Sequence, residues 1–366
     1  MSPRVFMSAT SYPRTAGDWQ GVFIRNIAEA LAEDCQLSLW APDGPRPAGV
    51  HYACTASDQQ WLAQLAARGG IAHLLGKSPI RGLSLSAALL RRLFNAYRRA
   101  AAETDLFHVN WLQNALPLKG LRHPAVISVL GTDFKLLRLP GMRSALRAML
   151  RERRAVLAPN AEWMREPLEQ AFGDVARVAP VPFGIDECWY ALQRKIQQPH
   201  RWLAVVRVTR DKIGPLFEWG EALFQDSGRE LHLIGPNQEG LALPDWVHFH
   251  GPASPGELAQ HWFPTATGLV TLSEHSEGRP QVILEALAAG LPVLASDLPA
   301  HRDVVESGRT GFLVHSRDAF AEALQAMEDS AAQRDFTVHC RDYAAAHYGT
   351  WRDCANRYGQ LYESLL

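Results

Sequence analysis

Short apolar runs alternate with amphipathic helical patterns from one end of this 366-residue chain to the other. That alternation leaves few folds open. A strand, a helix and a further strand in succession build a parallel sheet, because returning to the start of a parallel neighbour takes a crossover of a dozen or more residues. Residues 4–8, 37–40, 106–109, 125–129, 156–158 and 176–181 read as one such series of strands. A second runs through 202–208, 230–234, 247–250, 268–272, 293–296 and 312–314. Between them, Phe183-Gly184-Ile185-Asp186 is turn chemistry, and the polar stretch 193–200 is the expected linker. Single cores seldom grow past about 250–300 residues, so length also predicts two domains. The expected fold is α/β, two doubly wound parallel-sheet domains, the first over 1–188 and the second over 201–347. Such domains bind ligands outside the carboxyl ends of their strands, so a facing pair encloses a central cleft.

One segment of the second series stands apart, Ser273 to Gly290, reading SEHSEGRPQVILEALAAG. Its pattern predicts a helix with Pro280 at the first helical position and Gly290 just past the end. Val282, Ile283, Leu284, Ala286, Leu287 and Ala288 are apolar on nearly every side, which marks a buried helix. Glu285 is the one carboxylate among them. Buried alone it would be costly, so it must meet hydrogen-bond donors, which a ligand can supply. Glu277 lies eight positions earlier, on the order of 10 Å away where the last positions are helical. Between the two carboxylates is the helix N-terminus, whose free N–H groups favour an anion. A ligand with hydroxyls at both ends and phosphates in the middle, a nucleotide sugar, satisfies that arrangement.

Charge and cysteine usage narrow the classes further. Lys plus Arg number 37 against 38 Asp plus Glu, but residues 1–186 hold 22 basic and 15 acidic residues, leaving 15 and 23 for the rest. The first half thus carries a surplus of positive charge and is expected to face something anionic. The five cysteines show no C-x-x-C spacing, so they read as free thiols in a reducing compartment, with no zinc site implied. No run approaches the roughly 18 apolar residues of a membrane span, and the N-terminus lacks a signal-peptide core. The expected location is cytoplasmic, or peripheral on the cytoplasmic face of a membrane. Nothing points to a nucleic-acid partner.

Several motifs at the predicted strand ends resemble those of the retaining glycosyltransferases of family four, which have the GT-B fold of two Rossmann-like domains. The residues carrying the resemblance are Glu277-x7-Glu285 within EGRPQVILEALAAGLPVLASD, then GRTGFLV at 308–314. Upstream, VVRVTRDKIG at 205–214 resembles the family's VGRxxxxKG segment, with Arg207 and Lys212 at its spacing. VPFGID at 181–186 resembles its PNGID turn, DLFHVNWL at 105–112 its DVVHAHW strand, and VLGTDF at 129–134 its HGTD strand end. The resemblance covers nearly the whole chain, more strongly in the second domain. It implies that 348–366 forms a helix crossing back onto the N-terminal domain.

The resemblance implies roles. Glu285 would hold the ribose hydroxyls and Glu277 those of the transferred sugar, since a carboxylate accepts two hydrogen bonds from a vicinal diol. Arg207 and Lys212 would neutralise the pyrophosphate leaving group. No D-x-D motif is present, so neither metal nor other cofactor is expected. Gly278, Arg279, Pro280, Gln281, Gly235 and Gly21 are candidate donor-binding positions, Gly21 because a missing side chain lets a phosphate approach a helix start. His108 and Asp133 are candidate acceptor or sugar contacts; each can equally be a satisfied core residue. One departure matters: Leu130 stands where many family members have a histidine that touches the sugar.

The expected function is metal-independent, retaining transfer of a sugar from a nucleoside diphosphate sugar to a hydroxyl of a glycan or lipid-linked acceptor. A GT-B epimerase or phosphorylase, and a catalytically silent nucleotide-sugar binding subunit, stay open as alternatives. In the basic half, Arg143, Arg147, Arg151 and Arg154 fall on one helical stripe, and Arg91, Arg92, Arg98 and Arg99 on another. Solvated helix faces look like this, and so does a face that meets an anionic membrane, where each cation adds about 1 kcal/mol.

Overall fold

The computed structural model describes residues 2–15, 17–18, 20–67, 79–225, 227–275 and 278–366. The chain divides into two compact units, one made of Met1–Pro182 with Trp351–Leu366 and the other of Phe183–Thr350.

In the first unit, seven strands form a wholly parallel sheet: β1 (Arg4–Ser8), β2 (Gln36–Trp40), β3 (Val50–Tyr52), β4 (Leu106–Asn110), β5 (Ala125–Val129), β6 (Ala155–Pro159) and β7 (Arg177–Val178). Their order is β3-β2-β1-β4-β5-β6-β7. Every residue of β4, β5 and β6 is buried, as expected for central parallel strands covered on both faces by crossover helices. The helix Pro79–Ala100 buries Leu89, Leu93, Ala96 and Tyr97 against this sheet. β3 was not anticipated. It is a three-residue edge strand, half to fully exposed, with no apolar run to reveal it.

The last helix, Trp351–Leu365, packs on the helix Val22–Leu31 and on β5, burying Cys354, Tyr358, Leu361 and Tyr362. Polar groups lock it down. His108 on β4 bonds the Tyr362 hydroxyl through Nδ1 at 2.7 Å and Ser128 Oγ through Nε2 at 2.8 Å, and Ser128 also meets the Tyr358 hydroxyl at 2.8 Å.

The second unit holds a six-stranded parallel sheet of β8 (His200–Val205), β9 (Arg229–Ile234), β10 (Val247–Gly251), β11 (Gly268–Thr271), β12 (Val293–Ser296) and β13 (Gly311–Val314), in the order β10-β9-β8-β11-β12-β13. Each sheet therefore has a point where successive connections leave toward opposite sides, between β1 and β4 in the first and between β8 and β11 in the second. Both units are doubly wound α/β folds of the Rossmann-like kind.

Two boundaries differ from expectation. Residues 183–192 belong to the second unit, because Ile185, Trp189 and Leu192 are buried in its core. Residues 193–200 are no linker either. The Arg194 guanidinium donates to the carbonyls of Gly290, Ala266 and Thr267 and to Thr337 and Gln333, which staples the segment to the unit. The polar composition of this segment serves internal hydrogen bonds rather than solvation.

Candidate functional site

Ligands of doubly wound sheets bind at the carboxyl edge beside the switch point, which in the second unit is the pair of loops after β8 and β11. The loop after β8 carries Arg207, exposed, and then the short helix Arg210–Ile213 with half-buried Lys212. The loop after β11 carries the Ser273–Gly290 motif. Three contacts bind the loops together. Glu274 N donates to the Asp211 carbonyl at 2.7 Å, Ser273 Oγ reaches the same carbonyl at 3.4 Å, and Gly214 lies so close to Leu272 that a β-carbon would stand 2.1 Å from its carbonyl oxygen. Ser296 Oγ, at the end of β12, donates to the Ser273 carbonyl at 2.5 Å and holds the motif loop from the other side. Lys212 is thereby placed one residue from the backbone of the motif.

Gly235, at the end of β9, serves the same crowding: its β-carbon would fall 1.9 Å from the Val206 carbonyl oxygen, beside Arg207. Gly21 in the first unit has a left-handed φ of 72° at the start of the helix Val22–Leu31, and a β-carbon there would meet Tyr12 N at 2.7 Å. In both places only glycine fits a close backbone approach.

The motif helix runs Gln281–Ala288, so Pro280 caps it from an extended conformation rather than occupying its first turn. Its C-terminus closes as a Schellman motif. Leu291 N donates to Ala286 O, Gly290 N to Leu287 O, and Gly290 has a φ of 76°. Ile283, Leu284, Ala286, Leu287 and Ala288 are buried. Glu285 is only partly exposed, and no hydrogen-bond donor among the described residues meets its carboxylate. Burial first, and the neighbouring Asp186 carboxylate second, push its carboxyl up to about 8. The expectation that Glu285 meets donors is therefore not met within the described protein, where its nearest charged influence is repulsive. Asp186 was not singled out in the sequence beyond its place in the FGID turn; it caps the helix Glu187–Tyr190 by accepting from Cys188 N. Glu277, with Ser276, lies outside the described residues.

Arg279 and Gln281, both read as donor-binding, turn their side chains into the protein instead. Arg279 Nη2 stands 3.4 Å from Asp303 Oδ2 and the guanidinium lies 5.0 Å over the Tyr348 ring, with the side chain 5% exposed. Gln281 Nε2 donates to the Gly184 carbonyl at 3.0 Å. Among the described residues Arg279 Nε and Nη1 and Gln281 Oε1 are buried and meet no hydrogen-bond partner, at a cost of about 1–3 kcal/mol for each group so left. Gly278 is buried in the loop before them.

The two candidate contacts of the first unit are also corrected. His108 is fully buried with both ring nitrogens bonded inside the unit, and desolvation lowers its pKa to about 3. Asp133 is 2% exposed and its carboxylate accepts from Leu112 N and Leu130 N, tying the loops after β4 and β5; burial raises its carboxyl to about 6. Both residues are committed to the fold. The arginine stripes are partly committed as well. The helix over the first stripe ends at Leu150, Arg147 pairs with Asp174, and Arg92 and Arg99 converge on buried Asp58, whereas Arg91, Arg98, Arg143 and Arg151 are exposed.

None of the five cysteines is in a disulfide. Among the described residues no group of three or more His, Cys, Asp or Glu side chains is placed to hold a metal ion, and no helix is long and apolar enough to cross a membrane.

Residues 216–329 match the family model described as Glycosyl transferases group 1. D-inositol 3-phosphate glycosyltransferase of Streptomyces coelicolor is 34% identical over 147 residues, 36% of this chain and 32% of that protein. The chain thus spans about a third of the length of that relative. Among solved structures, sucrose-phosphate synthase from Thermosynechococcus elongatus superposes with a TM-score of 0.71 at 18% identity over 99% of both chains. Anabaena Alr3699/HepE in complex with UDP and glucose gives 0.65 at 16% identity over 99% of this chain and 100% of that one. These likenesses show the fold, the two-unit GT-B type. The segment 216–329 is thus similar to the group 1 glycosyl transferases, and the relatives aligned with part of the chain carry glycosyltransferase names.

Proposed function

We propose that this protein transfers a sugar from a nucleoside diphosphate sugar to a hydroxyl of a glycan or lipid-linked acceptor, with retention and without a divalent metal. One observation carries the proposal. Two cations, Arg207 and Lys212, and an eight-residue helix bearing Glu285, whose carboxylate meets no donor among the described residues, are gathered at the carboxyl edge of one sheet, at its switch point. The names of the aligned relatives denote glycosyl transfer, and one structural neighbour holds UDP and glucose.

In this reading the helix N-terminus and the two cations take the pyrophosphate, and Glu285 accepts from the ribose hydroxyls. The bond between the anomeric carbon and the phosphate oxygen breaks, its electron pair leaving with the nucleoside diphosphate. A bond forms from the acceptor oxygen to the anomeric carbon on the same face, and the acceptor's proton passes to the departing phosphate. Negative charge grows on the leaving group, so fixed cations stabilise the transition state more than the bound donor. The exposed arginines of the first unit fit an acceptor presented at an anionic membrane surface.

A second reading, a catalytically silent nucleotide-sugar binding subunit, is favoured by Leu130 in place of the family histidine. Both are tested by incubating the purified chain with UDP-, GDP- and ADP-sugars in the presence of a chelator and measuring free nucleoside diphosphate. Release from one of them is expected. Thermal stabilisation by a nucleotide without any release would favour the silent subunit. No stabilisation by any nucleotide would overturn both readings, and turnover lost to the chelator and restored by magnesium would overturn metal independence.

A further inference from the structure

The chain passes between the two units twice, at Pro182–Phe183 and at Thr350–Trp351. Inside the second unit the two passages lie side by side. Ile185 N donates to the Gly349 carbonyl at 3.0 Å, Ile185 pairs with Thr350 as a parallel bridge, and the Tyr190 hydroxyl donates to the Gly349 carbonyl at 3.1 Å. The start of the motif helix is fastened to both. Gln281 bonds the Gly184 carbonyl next to the first passage, and Arg279 lies over Tyr348 next to the second. Tyr348 is itself fixed, its hydroxyl donating to the Asp303 carbonyl at 3.2 Å while the Asp303 carboxylate meets Arg279.

We infer that Arg279 and Gln281 are positioning residues that couple occupancy of the helix N-terminus to the two crossover segments. The inference rests on the donor reading above. Both residues flank Pro280, the cap of the helix, so an anion drawing the first-turn N–H groups toward itself pulls on both side chains. Both are also incompletely bonded. Among the described residues the amide uses its nitrogen and leaves Oε1 buried without a donor, and the guanidinium leaves Nε and Nη1 without acceptors. A guanidinium has five N–H donors in a rigid fork. Holding it 5% exposed with two nitrogens idle means that its bonding can improve when the loop shifts. Elements with two available arrangements, biased by a ligand, are what carry coupling between sites.

The test is hydrogen exchange on the full chain with and without saturating UDP, GDP or ADP, whichever raises the melting temperature, in the native protein, in Gln281→Leu, in Arg279→Met and in Arg279→Lys. In the native protein the nucleotide should slow exchange in 281–288 and in both 183–186 and 348–351. Gln281→Leu should remove the response at 183–186 and Arg279→Met that at 348–351, with 281–288 still protected. Turnover should fall about five- to tenfold at saturating donor with donor KM little changed. Arg279→Lys keeps a cation for Asp303 but not the planar fork, and should restore part of the response. A change confined to melting temperature, with the crossover responses intact, would show a structural role only and overturn the coupling. So would native protection of 281–288 without any at the crossovers. If no nucleotide alters exchange or melting at all, the donor reading itself is overturned and the coupling falls with it.

Discussion

Gly214 meets Leu272 backbone to backbone, so close that a β-carbon on Gly214 would lie 2.1 Å from the Leu272 carbonyl oxygen, and its φ of 52° is one that side chains rarely adopt. This contact joins the loop that follows β8 to the loop that follows β11. It is what brings Lys212 to the motif.

Gly214→Ala should therefore cost about 2–3 kcal/mol of stability, from the clash and the backbone strain together. It should also weaken nucleoside diphosphate binding several-fold, because the helix Arg210–Ile213 is pushed off the motif loop. Urea unfolding beside calorimetric titration measures both; a stable variant with native affinity would show that the close approach is dispensable.

Glu285 should trade stability against binding. Its carboxyl is raised to about 8 by burial and by Asp186, against an ordinary glutamate value near 4.3 in the unfolded chain. Between those values the folded state holds the extra proton, so stability falls as pH rises through the window and is unaffected below it. Glu285→Gln should raise the unfolding free energy of the ligand-free protein at pH 8–9, by on the order of 2 kcal/mol, and leave it unchanged near pH 4. The same variant should weaken free nucleoside diphosphate by about 1–3 kcal/mol through the lost ribose bonds. Glu277→Gln should instead lower kcat and spare nucleotide affinity, since the group that it is proposed to hold is the sugar. Equal loss of nucleotide in both variants would overturn that division.

His108 should matter to folding and not to substrate. Its pKa is lowered from 6.5 to about 3, so the unfolded chain binds the extra proton. The stability that this neutral histidine contributes is complete above about pH 6.5 and is lost as pH falls toward 3. His108→Gln should cost about 2–3 kcal/mol at pH 7 by leaving the Tyr362 and Ser128 hydroxyls short of a partner, and flatten stability between pH 6.5 and 4. An unaltered pH profile in chemical unfolding would show that the His108 network contributes little.

Anionic surfaces should be read by the exposed arginines alone. Arg143→Gln with Arg151→Gln should reduce sedimentation with vesicles containing phosphatidylserine, by about 1 kcal/mol per residue at low salt, with donor hydrolysis retained. Arg147→Gln should chiefly lower stability, because its guanidinium is bonded to Asp174 and to the Ala171 carbonyl. Unchanged sedimentation of the double variant would retire membrane binding through this stripe.

The sequence alone was enough for the architecture, because parallel strands buried on both faces are apolar at nearly every position, as Ala125–Val129 and Val293–Ser296 are but for one serine each. It was also enough to find the motif helix, whose proline and glycine mark its ends. It was not enough for the direction of side chains. Arg279 and Gln281 lie inside the motif, yet their partners are Asp303, Tyr348 and Gly184, 24, 69 and 97 residues away in sequence. His108 ends a strand where a ligand contact was plausible, and a helix more than 250 residues later takes up its ring. Local pattern reports which face of an element is apolar. Which polar group spends its hydrogen bonds inside the protein, and which keeps them for a ligand, depends on partners that only the folded chain brings within 3 Å or so.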